Sequence, residues 1–228
     1  MKELSLPPYT AQGEVRRGAI RENKMSNITP VKMRFWSPDV RELDPYVPGE
    51  QPKIQNILKL NTNENPYPPS PNVVAAVQAV LENSADALRL YPDPDATALK
   101  QAIAKQQNVD VENVFVGNGS DEVLAHIFKA FFVQEKPILY PDITYSFYPV
   151  YSQFFGITEK TKILPLNDDF EIEVNDYKQP NGGIIITNPN APTSIALGLS
   201  AIEEVLQANP DSVVLIDEAY VDFGAESA

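Results

Sequence analysis

Apolar and polar positions fall into two kinds of block from about residue 71 onward. Val73, Val74, Val77, Val80 and Leu81 recur at helical spacing, and a second helix starting at Asp95 carries Leu99 and Ile103. Val114-Phe115-Val116 reads as a short strand ending in Gly117-Asn118-Gly119, after which Ser120 opens a helix bearing Val123, Leu124, Ile127, Phe128 and Phe131. The alternation repeats. Ile138-Leu139-Tyr140 predicts a strand before a Tyr145–Phe155 helix, and Ile184–Thr187 a strand before a loop and the helix of Ile202, Val205 and Leu206. Val213–Ile216 is the last strand. Apolar strands separated by helices predict an α/β fold of three layers, α/β/α, with a mostly parallel sheet buried on both faces. In such sheets ligands bind outside the carboxyl ends of the strands.

The preceding segments lack this pattern. Residues 1–30 are polar and without an apolar secretory core, so they are expected to be a flexible extension, with Met25 or Met33 as alternative starts. Glu3, Glu14 and Glu22 argue against a transit peptide. Residues 31–70 are rich in proline and asparagine, as in Asp44-Pro45-Tyr46-Val47-Pro48 and Asn61–Pro69. Proline stiffens such a stretch without helix or sheet, so it reads as an ordered arm or a linker. The expected organisation is therefore extension (1–30), arm (31–70) and large domain (71–228).

Composition narrows the function. The 228 residues are 43% hydrophobic, enough for a sizeable core, yet the longest apolar runs are strand-sized, which excludes a spanning helix. The absence of cysteine and the single His126 exclude disulfides and thiolate or multi-histidine metal sites. A net charge of -13 disfavours nucleic acid and anionic membrane. A small-molecule substrate and a cytoplasmic enzyme are expected, with any substrate anion held locally.

Candidate chemistry sits at the strand ends. Gly117–Glu122 allows close backbone approach and offers helix N–H groups to a phosphate, but it equally fits an ordinary Ser120 cap with acids in the first turn. It is neither a dinucleotide fingerprint nor a P-loop, since Glu122 stands where the former needs glycine and no Lys-Ser or Lys-Thr follows. Val213–Tyr220 delivers the carboxylate of Asp217 at a strand end with the phenol of Tyr220 three residues on. That pair suits a protonated pyridine nitrogen and a ring hydroxyl, or alternatively a metal-binding acid. Asn188–Ser194 either orients a ring oxygen through an asparagine amide or is simply a turn. Tyr145, Phe147 and Tyr148 either stack on a planar group or pack in the core, and His126 reads as structural.

In order along the chain, Asn63-Glu64-Asn65-Pro66-Tyr67, Leu90-Tyr91-Pro92, Gly117–Glu122, Thr144-Tyr145, Asn188–Thr193 and Asp217-Glu218-Ala219-Tyr220 resemble the fold-type-I pyridoxal-phosphate aminotransferases, and among them the histidinol-phosphate aminotransferases. The resemblance implies a pyridoxal 5'-phosphate cofactor with Ser120 and Asp121 at its phosphate, Tyr145 stacked on its ring, Asp217 at the ring nitrogen and Tyr220 at the 3-hydroxyl. It implies a homodimer in which Tyr91 reaches the neighbouring subunit's cofactor phosphate. Tyr46 and Asn63 are implied at the substrate, with Tyr46 near its phosphate. The implied reaction moves an amino group between L-histidinol phosphate and a 2-oxo acid such as 2-oxoglutarate, in histidine biosynthesis.

Two departures qualify it. Where the family has, before Pro-Thr-Gly, the asparagine that touches the cofactor's ring hydroxyl, this chain has Ala191, with Ser194 in place of the glycine, so Asn190 is the substitute candidate for that cofactor contact. The family's cofactor-binding lysine follows the Asp-Glu-Ala-Tyr strand, and no lysine follows Lys178 here, so the large domain is expected to be incomplete and this polypeptide inactive. Threonine-phosphate decarboxylases and aromatic aminotransferases share these motifs, and a non-catalytic fragment is the alternative of another class.

Overall fold

The computed structural model describes residues 35–41, 43, 53–54 and 57–228. The chain divides into two units, Met1–Glu42 and Leu43–Ala228. In the first, the described element is a single helical turn, α1 (Pro38–Arg41). The expected extension over residues 1–30 and the candidate Tyr46 lie outside the described residues.

Helix α2 (Pro71–Ser84) forms where the valine spacing predicts it, with Pro71 in the first turn, where a missing N–H costs nothing. Its apolar stripe is uncovered among the described residues: Val73, Val74, Val77, Val80 and Leu81 are all exposed. Helix α3 (Thr97–Gln107) starts two residues later than Asp95, because the Asp93 carboxylate accepts the N–H of Thr97 at 2.8 Å and of Asp95 at 3.0 Å. Helix α4 (Gly119–Ile127) runs on into a π-helical turn, Phe128–Phe132. Val114–Val116, read as a strand, is not one: Val114 is extended, but no described strand lies beside it to pair with. Extended backbone becomes sheet only when a neighbour takes its N–H and C=O groups.

The remaining elements are strand β1 (Ile138–Pro141), helix α5 (Tyr148–Phe154), strand β2 (Thr161–Leu164), strand β3 (Gly183–Thr187), helix α6 (Leu199–Ala208) and strand β4 (Val214–Asp217). Helix α5 begins three residues later than expected, since Asp142–Phe147 first turn away from β1. Strand β2 was not foreseen. It is an edge strand with Lys162 and Ile163 exposed, so it lacks the continuous apolar run that marks its buried neighbours.

The sheet order is β2-β1-β3-β4 with every pairing parallel, as the α/β pattern predicts. Every residue of β1 and β3 is buried, the expected state of strands covered on both faces. Their two-residue period divides the core. Ile138, Tyr140 and Ile185 join Leu124, Phe128 and Phe132 of α4 and its extension and Tyr148 and Tyr151 of α5 in one cluster. Leu139, Ile184 and Ile186 join Leu164, Tyr177 and Val205 of α6 in the other. Helices thus cover both faces of the sheet, giving the three-layer arrangement.

The first cluster is packed tightly at its base. A Cβ built on Gly183 would lie 2.4 Å from the ring of fully buried Phe132. Gly183→Ala is expected to cost about 2–3 kcal/mol through overpacking, read as a lower midpoint in urea unfolding.

Candidate active site

The order of the strands creates the site. The chain passes from β1 to β2 on one side and returns to β3 on the other, so a crevice opens at the carboxyl ends of β1 and β3. There lies a cleft of about 230 Å³ lined by Asn118–Asp121 of the α4 start, Tyr145 after β1, Thr187 ending β3, Ala191, Asp217 ending β4, and Ala219-Tyr220 beyond it. Gly119, at φ 77°, occupies the left-handed region where a side chain is strained, and this lets the chain turn from Asn118 into α4. Glu122 reaches back to accept the Asn118 N–H. The first-turn N–H groups of a helix have no acceptor within it, so those of Ser120 and Asp121 are available at the cleft wall.

Asp217 is held by its surroundings. Its register partner in β3 is Thr187, and its carbonyl accepts the Asn188 N–H at 2.8 Å. The Tyr148 hydroxyl donates to Asp217 Oδ2 at 2.8 Å, and the Ala219 N–H lies 3.3 Å from Oδ1. Tyr148 Oη is also 2.7 Å from Thr187 Oγ1, which is 3.1 Å from Thr144 Oγ1. Burial, then the Asp217 charge, pushes the Tyr148 phenol well above the usual tyrosine range. Burial pushes Tyr151 up to about 12 and Tyr177 higher still. Tyr151 donates to the Asp121 carbonyl at 2.7 Å, and Tyr145 to Asp121 Oδ1 at 2.8 Å. The Asp121 side chain therefore anchors the Tyr145 ring.

Five of the sequence candidates come together in this cleft: Ser120, Asp121, Tyr145, Asp217 and Tyr220. Ser120 is not the helix cap, because α4 begins one residue earlier and Asn118 holds that position. Asn190 lines a neighbouring cleft instead, with Asn63, Glu64 and Tyr220. Its amide donates to the Ile143 carbonyl at 2.8 Å, while its buried Oδ1 has no hydrogen-bond partner. Ala191, not Asn190, lines the first cleft. Ser194, where the family has glycine, sits at φ 63°, the conformation glycine adopts most readily. Tyr91 is fully exposed and lines none of these clefts. The His126 ring packs edge-on against Phe115 with centroids 5.8 Å apart.

Sequence reasoning gives Thr187 no role, and names Asn188 only as part of the Asn188–Ser194 run. Asn188 is fully buried and pins its loop by accepting the Leu197 N–H at 2.8 Å and donating to the Leu197 carbonyl at 3.1 Å. The available signal was a pair of polar residues closing an otherwise apolar strand. Among the described residues there is no cluster able to hold a metal ion, and no helix long and apolar enough to cross a membrane.

The fold is a three-layer α/β domain that gathers a helix N-terminus, a carboxylate and aromatic rings at its strand ends, where open parallel sheets bind ligands. Comparison with known proteins narrows this. The family model for class I and II aminotransferases matches residues 55–228, and the chain belongs to that family. The histidinol-phosphate aminotransferase of Acinetobacter baumannii (strain SDF) is 82% identical over 201 residues, covering 88% of this chain and 55% of that protein. Histidinol-phosphate aminotransferase 2 of Dechloromonas aromatica is 64% identical over 196 residues, covering 86% of this chain and 54% of that protein. The chain spans about half the length of the curated relatives it matches. Among solved structures, histidinol-phosphate aminotransferase from Sinorhizobium meliloti in complex with pyridoxal-5'-phosphate superposes with a TM-score of 0.59 at 20% identity. It covers 87% of this chain and 52% of that one, and shares the fold. The L-threonine-O-3-phosphate decarboxylase from Porphyromonas gingivalis gives 0.54 at 26% identity, over 68% and 45%.

The buried phenols have a consequence for stability. Tyr148, Tyr151 and Tyr177 have folded pKa values raised above the unfolded value of 10.0, so the stability they contribute is complete below about pH 10 and is lost as pH rises through their folded values. Each phenol still protonated in the folded chain adds a slope of about 1.4 kcal/mol per pH unit in that window. Denaturant midpoints are expected to be flat from about pH 7 to 9 and to fall steeply by about pH 11, with a late phenolate absorbance step that coincides with unfolding.

Proposed function

We propose that this chain forms the cofactor-binding part of a pyridoxal-phosphate-dependent aminotransferase acting on L-histidinol phosphate and a 2-oxo acid. The observation that carries the reading is the convergence of Ser120, Asp121, Tyr145, Asp217 and Tyr220 on one cleft. The residues fit the cofactor. Among the described residues, two carboxylates and no lysine or arginine line the cleft, which suits a protonated ring nitrogen, and the Asp217 carboxylate is already oriented by two donors. The phosphate end falls to the Ser120 hydroxyl and the first-turn N–H groups of α4.

When bound, pyridoxal phosphate supplies an electron-withdrawing ring that takes up the electron pair released when the substrate's α-C–H bond breaks. Asp217 keeps a proton on the ring nitrogen and so sustains that withdrawal. Tyr145, anchored by Asp121, covers a ring face, and Tyr220 holds the 3-hydroxyl. Asn190, which lines the second cleft with Asn63 and Glu64, belongs to the substrate side of the same region. Exposed Tyr91 is available to a second subunit of a homodimer. The high identity to two histidinol-phosphate aminotransferases favours that substrate over phosphothreonine. Because no lysine among the described residues lines the cleft, the 228 residues alone are expected to give no turnover.

A version extended to the relatives' full length is expected to move the amino group of L-histidinol phosphate to 2-oxoglutarate, so that 2-oxoglutarate and histidinol phosphate are consumed while glutamate and the ketone derived from histidinol phosphate appear in equal amounts. Asp217→Ala should lower kcat/KM by about a thousandfold, as loss of a preorganised charge at the reacting group does. Carbon dioxide release from O-phosphothreonine without turnover of histidinol phosphate would replace this reading with the decarboxylase one.

A further inference from the structure

The hydroxyls behind Asp217 form a chain whose direction is fixed by proton count. An ionised carboxylate only accepts, so the single proton of Tyr148 goes to Asp217 Oδ2 at 2.8 Å. Towards Thr187, 2.7 Å away, the Tyr148 oxygen must then accept, and Thr187 donates. With its proton committed, Thr187 accepts from Thr144 at 3.1 Å. The donors run one way, Thr144 to Thr187 to Tyr148 to Asp217, and successive hydroxyls in such a chain polarise one another. Tyr148 is fully buried and its ring is packed against Phe128, Tyr140 and Tyr145, so the hydroxyl cannot swing away. Thr187 is fixed by its place at the end of β3, in register with Asp217.

We propose that Tyr148 is a positioning residue: through this chain it sets the direction in which the Asp217 carboxylate faces the cleft, and with it the site's preference for a ligand bearing a protonated ring nitrogen. The proposal rests on the reading of Asp217 as the partner of that nitrogen. One carboxylate oxygen is turned to the protein by Tyr148, and the other, near the Ala219 N–H, is left to meet the ligand. Burial and the neighbouring negative charge hold the phenol protonated, so it remains a donor throughout the neutral and mildly alkaline range.

The test is equilibrium binding to a full-length version, with pyridoxal 5'-phosphate and its 1-deaza analogue, in which C–H replaces the ring nitrogen, as the two probes. The ratio of their dissociation constants measures the preference for nitrogen. Tyr148→Phe keeps the ring and removes only the donor, and it is expected to reduce that ratio about tenfold, the worth of one charge-assisted hydrogen bond. Thr187→Val should shift the ratio the same way by less, and Thr187→Ser, which keeps the hydroxyl, should retain it. The Thr187 pair also carries the test should Tyr148→Phe not fold, as judged by its thermal transition. A Tyr148→Phe ratio equal to wild type, whether both affinities fall together or neither falls, would mean that Tyr148 only supports the core, and overturns the proposal. Asp217→Ala separates the two levels: if it abolishes the nitrogen preference while Tyr148→Phe does not change it, Asp217 keeps its role and Tyr148 loses its own. If Asp217→Ala leaves the preference intact, the underlying reading of the site falls as well.

Discussion

The site depends on the parallel pairing of β3 with β4. That register sets Thr187 opposite Asp217 and lets the Asn188 N–H close on the Asp217 carbonyl, so both strands end at one level. A slip of one residue would turn every side chain of β4 to the opposite face and carry the carboxylate away from the cleft. The slip is opposed by the core itself, since Val214 and Ile216 of β4 pack against one cluster and Leu215 against the other. Hydrophobic burial in the middle of the sheet thus fixes the position of a charge at its end.

Core and site also share residues. The rings of Tyr148 and Tyr151 belong to the apolar cluster beneath α4 and α5, while their hydroxyls reach Asp217 and the Asp121 backbone. A phenol suits this double duty because its body is apolar and its tip polar. The two polar tips tie the end of β4 to the start of α4, the two structures on which the proposed ring nitrogen and phosphate depend. Asn188 does the same for the loop after β3, fastening it to Leu197 through both ends of its amide. Rigid placement of a few polar groups, rather than their number, distinguishes this cleft.

Much of this was legible in the chain. Continuous apolar runs gave β1, β3 and β4, and valine spacing gave α2, because these elements are specified by local periodicity. Asp217 could be found because it closes such a run, at the end where open parallel sheets bind ligands, and Ser120 because it follows a glycine-rich turn into a helix. Strand β2 escaped notice because an edge strand with exposed Lys162 and Ile163 need not be continuously apolar, and Val114–Val116 was read as sheet because an apolar run does not reveal whether a neighbour exists. The start of α5 was misplaced for a related reason: aromatic residues at Tyr145 and Phe147 continue the helical spacing although they lie in the preceding turn.

By itself, then, the sequence determined the α/β class, the central strands, the acidic and cysteine-free character of the chain and the residue types available for chemistry, since each of these follows from local pattern or composition. Only the tertiary structure decided the strand order that opens the crevice, the choice of Ala191 rather than Asn190 at its wall, and the turning of the Asp121 side chain to Tyr145. It alone joined Thr144, Thr187, Tyr148 and Asp217, which are up to 73 positions apart (144 to 217) in the chain. The physical reason is that a hydrogen bond depends on distances of about 3 Å and on direction, and neither is encoded by spacing along a chain once the partners lie on different strands.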